Sequence, residues 1–329
     1  MGQISDYLVW GAATAYAIAL VCFAIDLGRV SEAIGARKAA RTKALAQAEG
    51  SGVVSGGAIA TALGGESASA DEPISYVGRS SKALGIAMAV TTVGFLLHAG
   101  AVVTRGLAAG RVPWANMYEF CLVGTFVAVG AFLAIQIFKE IRYLGGFITF
   151  VVLLFLVVGM NVFHIQADSV QPALQRYWLV IHVGIAVIAT GIFTVAFVVS
   201  LLQLLRDSRD NGSPLVTWNW LEVLPNADRL EALSFRINAV GFVLWTFTLI
   251  SGAIWAEDAW GRAWGWDPKE VWSFIVWVVY AAYLHARTTR GWSGRRAAYF
   301  VMIGYATVLF NFTGVNILFS GKHSYGGLN

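Results

Sequence analysis

The stretch Ser251-Gly-Ala-Ile-Trp255-Ala-Glu-Asp-Ala-Trp260-Gly-Arg-Ala-Trp264-Gly-Trp266-Asp267-Pro-Lys-Glu270-Val-Trp272-Ser-Phe-Ile-Val-Trp277 holds six of the chain's thirteen tryptophans. It reads as a corner between two helices. Glycines break the middle, and Asp267-Pro268-Lys269-Glu270 is a helix start: Asp267 supplies the N-cap, Pro268 suits the first helical position and Glu270 completes a capping-box-like pattern. Tryptophan offers the largest flat apolar surface of any side chain, with one N–H at its edge. Trp255, Trp260, Trp264 and Trp266 therefore suit a large, flat, hydrophobic ligand.

Outward from that corner, the composition is that of a polytopic membrane protein. The chain is 57% hydrophobic and 13% charged, with a mean hydropathy of +0.66, whereas soluble domains run near a quarter charged. The pI near 9.1 does not call for nucleic acid, and none is expected as a partner, because Lys and Arg gathered on one side of a membrane give the same balance. Cys22 and Cys121 sit far apart in apolar runs, outside any Cys-x-x-Cys. Zinc and a thioredoxin-type dithiol are thus unsupported.

Apolar runs long enough to cross a ~30 Å hydrocarbon core lie at 7–27, 83–103, 117–137, 147–163, 178–205, 236–255, 271–286 and 297–319. The expected fold is an all-α bundle of about eight transmembrane helices, with both termini on one side. Grouping the connections alternately puts seventeen Lys and Arg on one side and six on the other. By the positive-inside rule, both termini and the tryptophan loop face outward from the cytoplasmic membrane. Met1–Tyr7 has no basic residue and the positive cluster follows the first run, which argues against a cleaved signal peptide. The Ala/Gly/Ser-rich segment 44–72 buries too little to offset its ordering entropy, so 28–82 reads as a flexible cytoplasmic loop after a first helix in 1–27.

On this topology His182 and His323 lie at the outer surface, level with the tryptophan loop. Neutral imidazole is a common axial ligand of haem iron, and two such ligands are needed along one line. A flat apolar shelf flanked by two histidines suggests haem. An interfacial histidine can equally sit in water and headgroups. His285, near the inner end of the seventh run, either faces the bundle interior with a functional role or snorkels beside Arg287. His98 and His164 are read as structural. Trp10, Trp114, Trp178, Trp218, Trp220, Trp245 and Trp292 supply an interfacial aromatic belt, which leaves the cluster at 255–277 as a surplus. Arg262 or Lys269 is available to pair with a haem propionate.

Trp255-Ala-x-x-x-Trp260-Gly-x-x-Trp264-x-Trp266-Asp267-Pro268-Lys269-Glu270 resembles the tryptophan-rich WWD motif of the haem-handling proteins of cytochrome c maturation. Pro113-x-x-Asn116-Met-Tyr118-Glu119, Leu174-Gln-x-Tyr177-Trp-Leu-x-x-His182-Val and the final Gly-Lys-His323-Ser-Tyr-Gly resemble its system II, CcsA/ResC type, called CcsB in actinobacteria. The resemblance covers 111–326, a haem-handling domain that includes the outer loop 252–272; residues 83–110 form a second transmembrane helix and an outer loop before it. It implies haem b as ligand and substrate, with His182 and His323 as axial ligands to the iron and His285 as an intramembrane haem ligand. It also implies Trp255, Trp260, Trp264, Trp266 and Asp267 as haem-binding residues. The haem vinyl groups would be presented to the thiols of a CxxCH segment in apocytochrome c. A ResB-type membrane subunit and a thioredoxin-like thiol reductant are the other implied partners, and the chain would act as part of a cytochrome c synthase complex.

Three other readings share parts of this pattern. The system I exporter and lyase subunits share the tryptophan motif, but length, crossing number and the terminal His323 segment favour system II. A b-type electron carrier pairs histidines at short, regular spacing; the separations here are 66, 18, 103 and 38. A solute transporter would use the tryptophans as a substrate clamp.

Overall fold

The computed structural model describes residues 1–50, 81–167, 177–213 and 218–323. Outside these lie most of the Ala/Gly/Ser segment 44–72, Leu174–Arg176 of the second motif and Ser324–Gly326 of the last. The described residues are helical, without a strand: α1 (Gly2–Gly50), α2 (Lys82–Ala109), α3 (Met117–Phe138), α4 (Gly145–Val162), α5 (Gly184–Asp210), α6 (Ala227–Trp260), α7 (Pro268–Thr289), α8 (Arg295–Phe312) and the short α9 (Gly314–Leu318).

Among the described residues, seven helices are long and apolar enough to cross a membrane. The expected seventh crossing, 271–286, falls in α7, whose 22 residues span ~33 Å. α7 has the length to cross and lacks the hydropathy, because its sequence includes Ser273, Tyr280, Tyr283, His285 and Arg287. The first helix also departs from its expected end near residue 27: it continues without a break to Gly50. The basic, Ala-rich stretch after Asp26 has no proline, and its many Ala, Arg and Lys residues favour helix despite Gly28 and Gly35.

Local chemistry sets the helix ends. The Ser81, Asn116 and Asn226 side chains accept from the backbone N–H three residues on, satisfying donors that the helix leaves open. α6 ends at Gly261, whose φ of 68° is the left-handed cap that glycine adopts without strain.

α5 runs through the centre of the bundle, packed against α3, α6 and α8. Polar side chains join it to its neighbours: the Ser200 and Ser234 hydroxyls lie 2.6 Å apart, and Thr194 meets the Tyr305 hydroxyl at 2.9 Å. Such bonds hold membrane helices together where lipid removes the hydrophobic drive for association. α1 and α2 pack on each other at one flank. Large apolar residues such as Leu96, Leu107, Phe247, Ile250 and Ile303 are exposed on the outside, as expected of surface that meets lipid.

Candidate functional site

The corner read from the sequence is built as expected. The Asp267 carboxylate accepts the Lys269 amide at 3.0 Å, and Glu270 Oε2 accepts the amides of Asp267 at 3.0 Å and Gly265 at 2.8 Å. This capping box starts α7 and fixes the loop ahead of it.

Beside the corner lies a cavity enclosing about 1300 Å³ of empty space, part of it open to solvent. Its walls are mostly apolar and come from α3, α5, α6, α7 and α8 together with the loop before α3. On α6, Trp245, Thr248, Leu249, Gly252, Ala253 and Ala256 line it, the i, i+3, i+4, i+7 stripe of one helix face.

His182 lines this cavity from a π-helical turn, Leu179–Val183, just ahead of α5. Such single turns recur at functional sites. Its Nδ1 lies 2.9 Å from the Thr248 carbonyl oxygen. A carbonyl can only accept, so Nδ1 carries the proton and Nε2 holds the lone pair. Gly252 gives the ring its space, since a Cβ there would come within 2.6 Å of His182 Cε1. The Trp255 ring lies 5.6 Å from the imidazole, and Trp255 Nε1 is buried with no partner among the described residues.

His323 reaches the same cavity from beyond α9. Its Nδ1 is 2.9 Å from Asp267 Oδ1, and the edge of Trp260 packs on its ring at 5.0 Å. Asp267 Oδ2 also accepts the Lys322 amide at 2.6 Å. Burial pushes the Asp267 carboxyl upward, but the His323 hydrogen bond and charge, with the Lys322 and Lys269 amides, outweigh it and hold the carboxyl down at about 2. The aspartate is therefore ionised near neutral pH. One residue starts α7 and orients His323.

The structure separates the remaining sequence candidates. Trp264 lines the cavity beside Trp255. Trp260 stands behind His323, and Trp266 is 77% exposed with a φ of 59°. His285 is exposed near the C-terminal end of α7, sixteen residues and so ~24 Å along the helix from Lys269, and is not among the cavity residues. His98 is fully buried between the Leu122 carbonyl at 2.8 Å and the Tyr16 hydroxyl at 3.3 Å. His164 meets Asp6 at 3.1 Å.

Several lining residues escaped the sequence reading. Trp114 and Trp245, assigned to the interfacial belt, line the cavity; Trp245 is only 4% exposed and donates from Nε1 to the Ser273 carbonyl at 3.0 Å. The helical stripe on α6 was the available signal for Trp245. Glu119, the last residue of the Pro113–Glu119 motif, is fully buried behind the cavity wall. It accepts from Arg105 at 3.0 Å, from Arg111 at 2.6 Å and from the Ala115 amide at 3.0 Å. These bonds satisfy the buried charge and pin the loop that carries Trp114, Ala115 and Asn116 to the cavity wall.

The family model described as "Cytochrome C assembly protein" matches residues 114–323, the part of the chain that forms the cavity. A cytochrome c biogenesis protein CcsA of Prochlorococcus marinus is 34% identical over 280 residues, covering 77% of this chain and 88% of that one. The CcsA of Gloeobacter violaceus is 31% identical over 294 residues, 73% of this chain and 86% of the relative. That of Chlamydomonas reinhardtii is 40% identical over 164 residues, 50% of this chain and 45% of the algal protein. The chain belongs to the cytochrome c assembly protein family, and its work lies in cytochrome c maturation.

Proposed function

We propose that the cavity receives haem b as a substrate and holds it for transfer to apocytochrome c, with His182 and His323 as the axial ligands. One observation carries the reading: histidines 141 residues apart in the chain line one tryptophan-walled cavity, each with Nδ1 already engaged. A second-shell acceptor on Nδ1 is how proteins orient imidazole for iron and raise its basicity, leaving ligation to Nε2. The Trp114, Trp245, Trp255 and Trp264 walls suit a flat apolar macrocycle, whose burial contributes ~25 cal/mol per Å² removed from water.

Bound haem would supply two vinyl groups. Each thiol of a reduced CxxCH segment adds across one vinyl C=C, sulfur to one carbon and hydrogen to the other, so no oxidant is needed. The protein's part is positioning, which raises effective molarity and demands no nucleophile from this chain. The charge asymmetry of the loops supports a cavity facing outward from the cytoplasmic membrane. His285, exposed and remote from the cavity, fits a separate intramembrane haem position shared with a ResB-type subunit. A thioredoxin-like reductant would keep the substrate cysteines as thiols.

The test is the absorption spectrum of the full chain purified in mild detergent, with and without a ResB-type partner. A Soret band with low-spin features, lost in His182→Ala and in His323→Ala together with holocytochrome c, is expected. Unchanged spectra and holocytochrome levels in both variants would overturn the ligand assignment.

A further inference from the structure

Lys269 lines the same cavity, and its position is hard to explain by folding alone. It is the second residue of α7, where the helix macrodipole disfavours a cation. Its Nζ donates to the Asn311 carbonyl at 2.6 Å and to Asn316 Oδ1 at 3.2 Å. Both acceptors are neutral. Among the described residues no carboxylate lies within ion-pair distance of Nζ. Asp267 is engaged with His323 and two amides; Glu270, which also lines the cavity, is tied through Oε2 to the loop backbone, and its Oε1 is buried without a partner among the described residues. An ammonium also has three donors, and the Asn residues take two.

Around Nζ the lining turns polar. Ser273, Asn311 and Asn316 meet there, and Asn311 Oδ1 is buried without a partner. Trp114, Leu249, Val308 and Phe312 make other parts of the wall apolar. A mostly apolar cavity with an ammonium on one wall is complementary to a flat hydrophobic molecule bearing a carboxylate on one edge. Arg262, the other cation of the tryptophan loop, does not serve: its guanidinium lies over Gly265, in the space a Cβ there would take, and it is not among the lining residues.

We propose that Lys269 is a positioning residue that binds a haem propionate, fixing which edge of the macrocycle enters the Asn311/Asn316 corner and so where the vinyl edge faces. The proposal rests on the haem reading above. A charge-assisted bond of this kind orients as well as binds.

The experiment compares two probes on the full chain in detergent, haem and haem dimethyl ester, by Soret titration. Wild type should bind the ester roughly tenfold or more weakly than haem, about the effect of one lost charge-assisted bond. Lys269→Gln, which keeps a donor for Asn311 and loses the charge, should bind haem at the ester's level and leave ester binding unchanged; Lys269→Arg should retain the preference. Equal affinity of wild type for both probes, or an equal loss for both in Lys269→Gln, would overturn the proposal while leaving the haem reading intact. Loss of holocytochrome c in Lys269→Gln with the haem preference preserved would also overturn it, assigning the carboxylate to the polypeptide substrate instead. If folded wild type binds neither probe, the haem reading falls and takes this proposal with it.

Discussion

At the end of the bundle where α6 begins and α7 finishes, charged groups meet partners of opposite sign. Glu231 takes Arg287 at 2.5 Å and the Gly294 amide at 2.7 Å, Asp207 pairs with Arg295, and Glu222 holds both Arg209 and Lys38. At the other end of the same two helices, Lys269 enters an apolar cavity with only neutral acceptors, and two imidazoles line the same space. Asp267 there is committed to orienting one of those rings. Charges neutralised in pairs fasten helices; an ammonium and two imidazoles set into a mostly apolar cavity are, on the proposed function, groups placed for a ligand. On that reading, position in this fold separates holding the bundle together from receiving a substrate, although the residue types are shared.

Three substitutions test that division. The largest effect is expected for Gly252→Ala. Its Cβ would press on His182 Cε1, and a shift of about an ångström in a positioned group can lower a rate ~100-fold. Holocytochrome c formation should fall on that scale with folding retained by circular dichroism; normal formation would mean that the seat of His182 is uncritical. Asp267→Asn removes the anion behind His323, and second-shell losses typically lower metal affinity ~10–100-fold. Soret titration checks this, and wild-type affinity would reduce Asp267 to a helix cap. The smallest effect on the site is expected at the opposite end. Glu231→Gln weakens the link to Arg287 and should reduce stability by about 1–3 kcal/mol, seen as a lower unfolding temperature in detergent, without altering haem affinity. A matching loss of affinity would break the division between the two ends.

Much of this was legible in the chain because the signals are local. The apolar runs are long enough to announce membrane helices, and the Asp267–Glu270 box is a four-residue pattern whose hydrogen bonds close within one turn. The run 271–286 was read as a crossing, yet α7 falls short of the other helices in hydropathy, since a helix facing a cavity and its neighbours need not be apolar throughout. The run of α1 to Gly50 was obscured by reading an Ala-rich basic stretch as a loop. Trp266 and Trp264 stand two residues apart in one motif and look equivalent in sequence, yet only Trp264, the less exposed of the two, is among the cavity-lining residues.

The sequence by itself determined the helical membrane class and the corner at Asp267, and it pointed to His182 and His323, which line one cavity, because each depends on composition, short-range capping or a short motif. Only the tertiary structure decided that Trp114 and Trp245 join the cavity wall, that His98 lies between Tyr16 and Leu122, and that Lys269 rather than Arg262 faces the cavity. Those facts depend on which helix faces meet. Contacts between residues tens to hundreds of positions apart are set by the packing of the whole bundle, which no local pattern encodes.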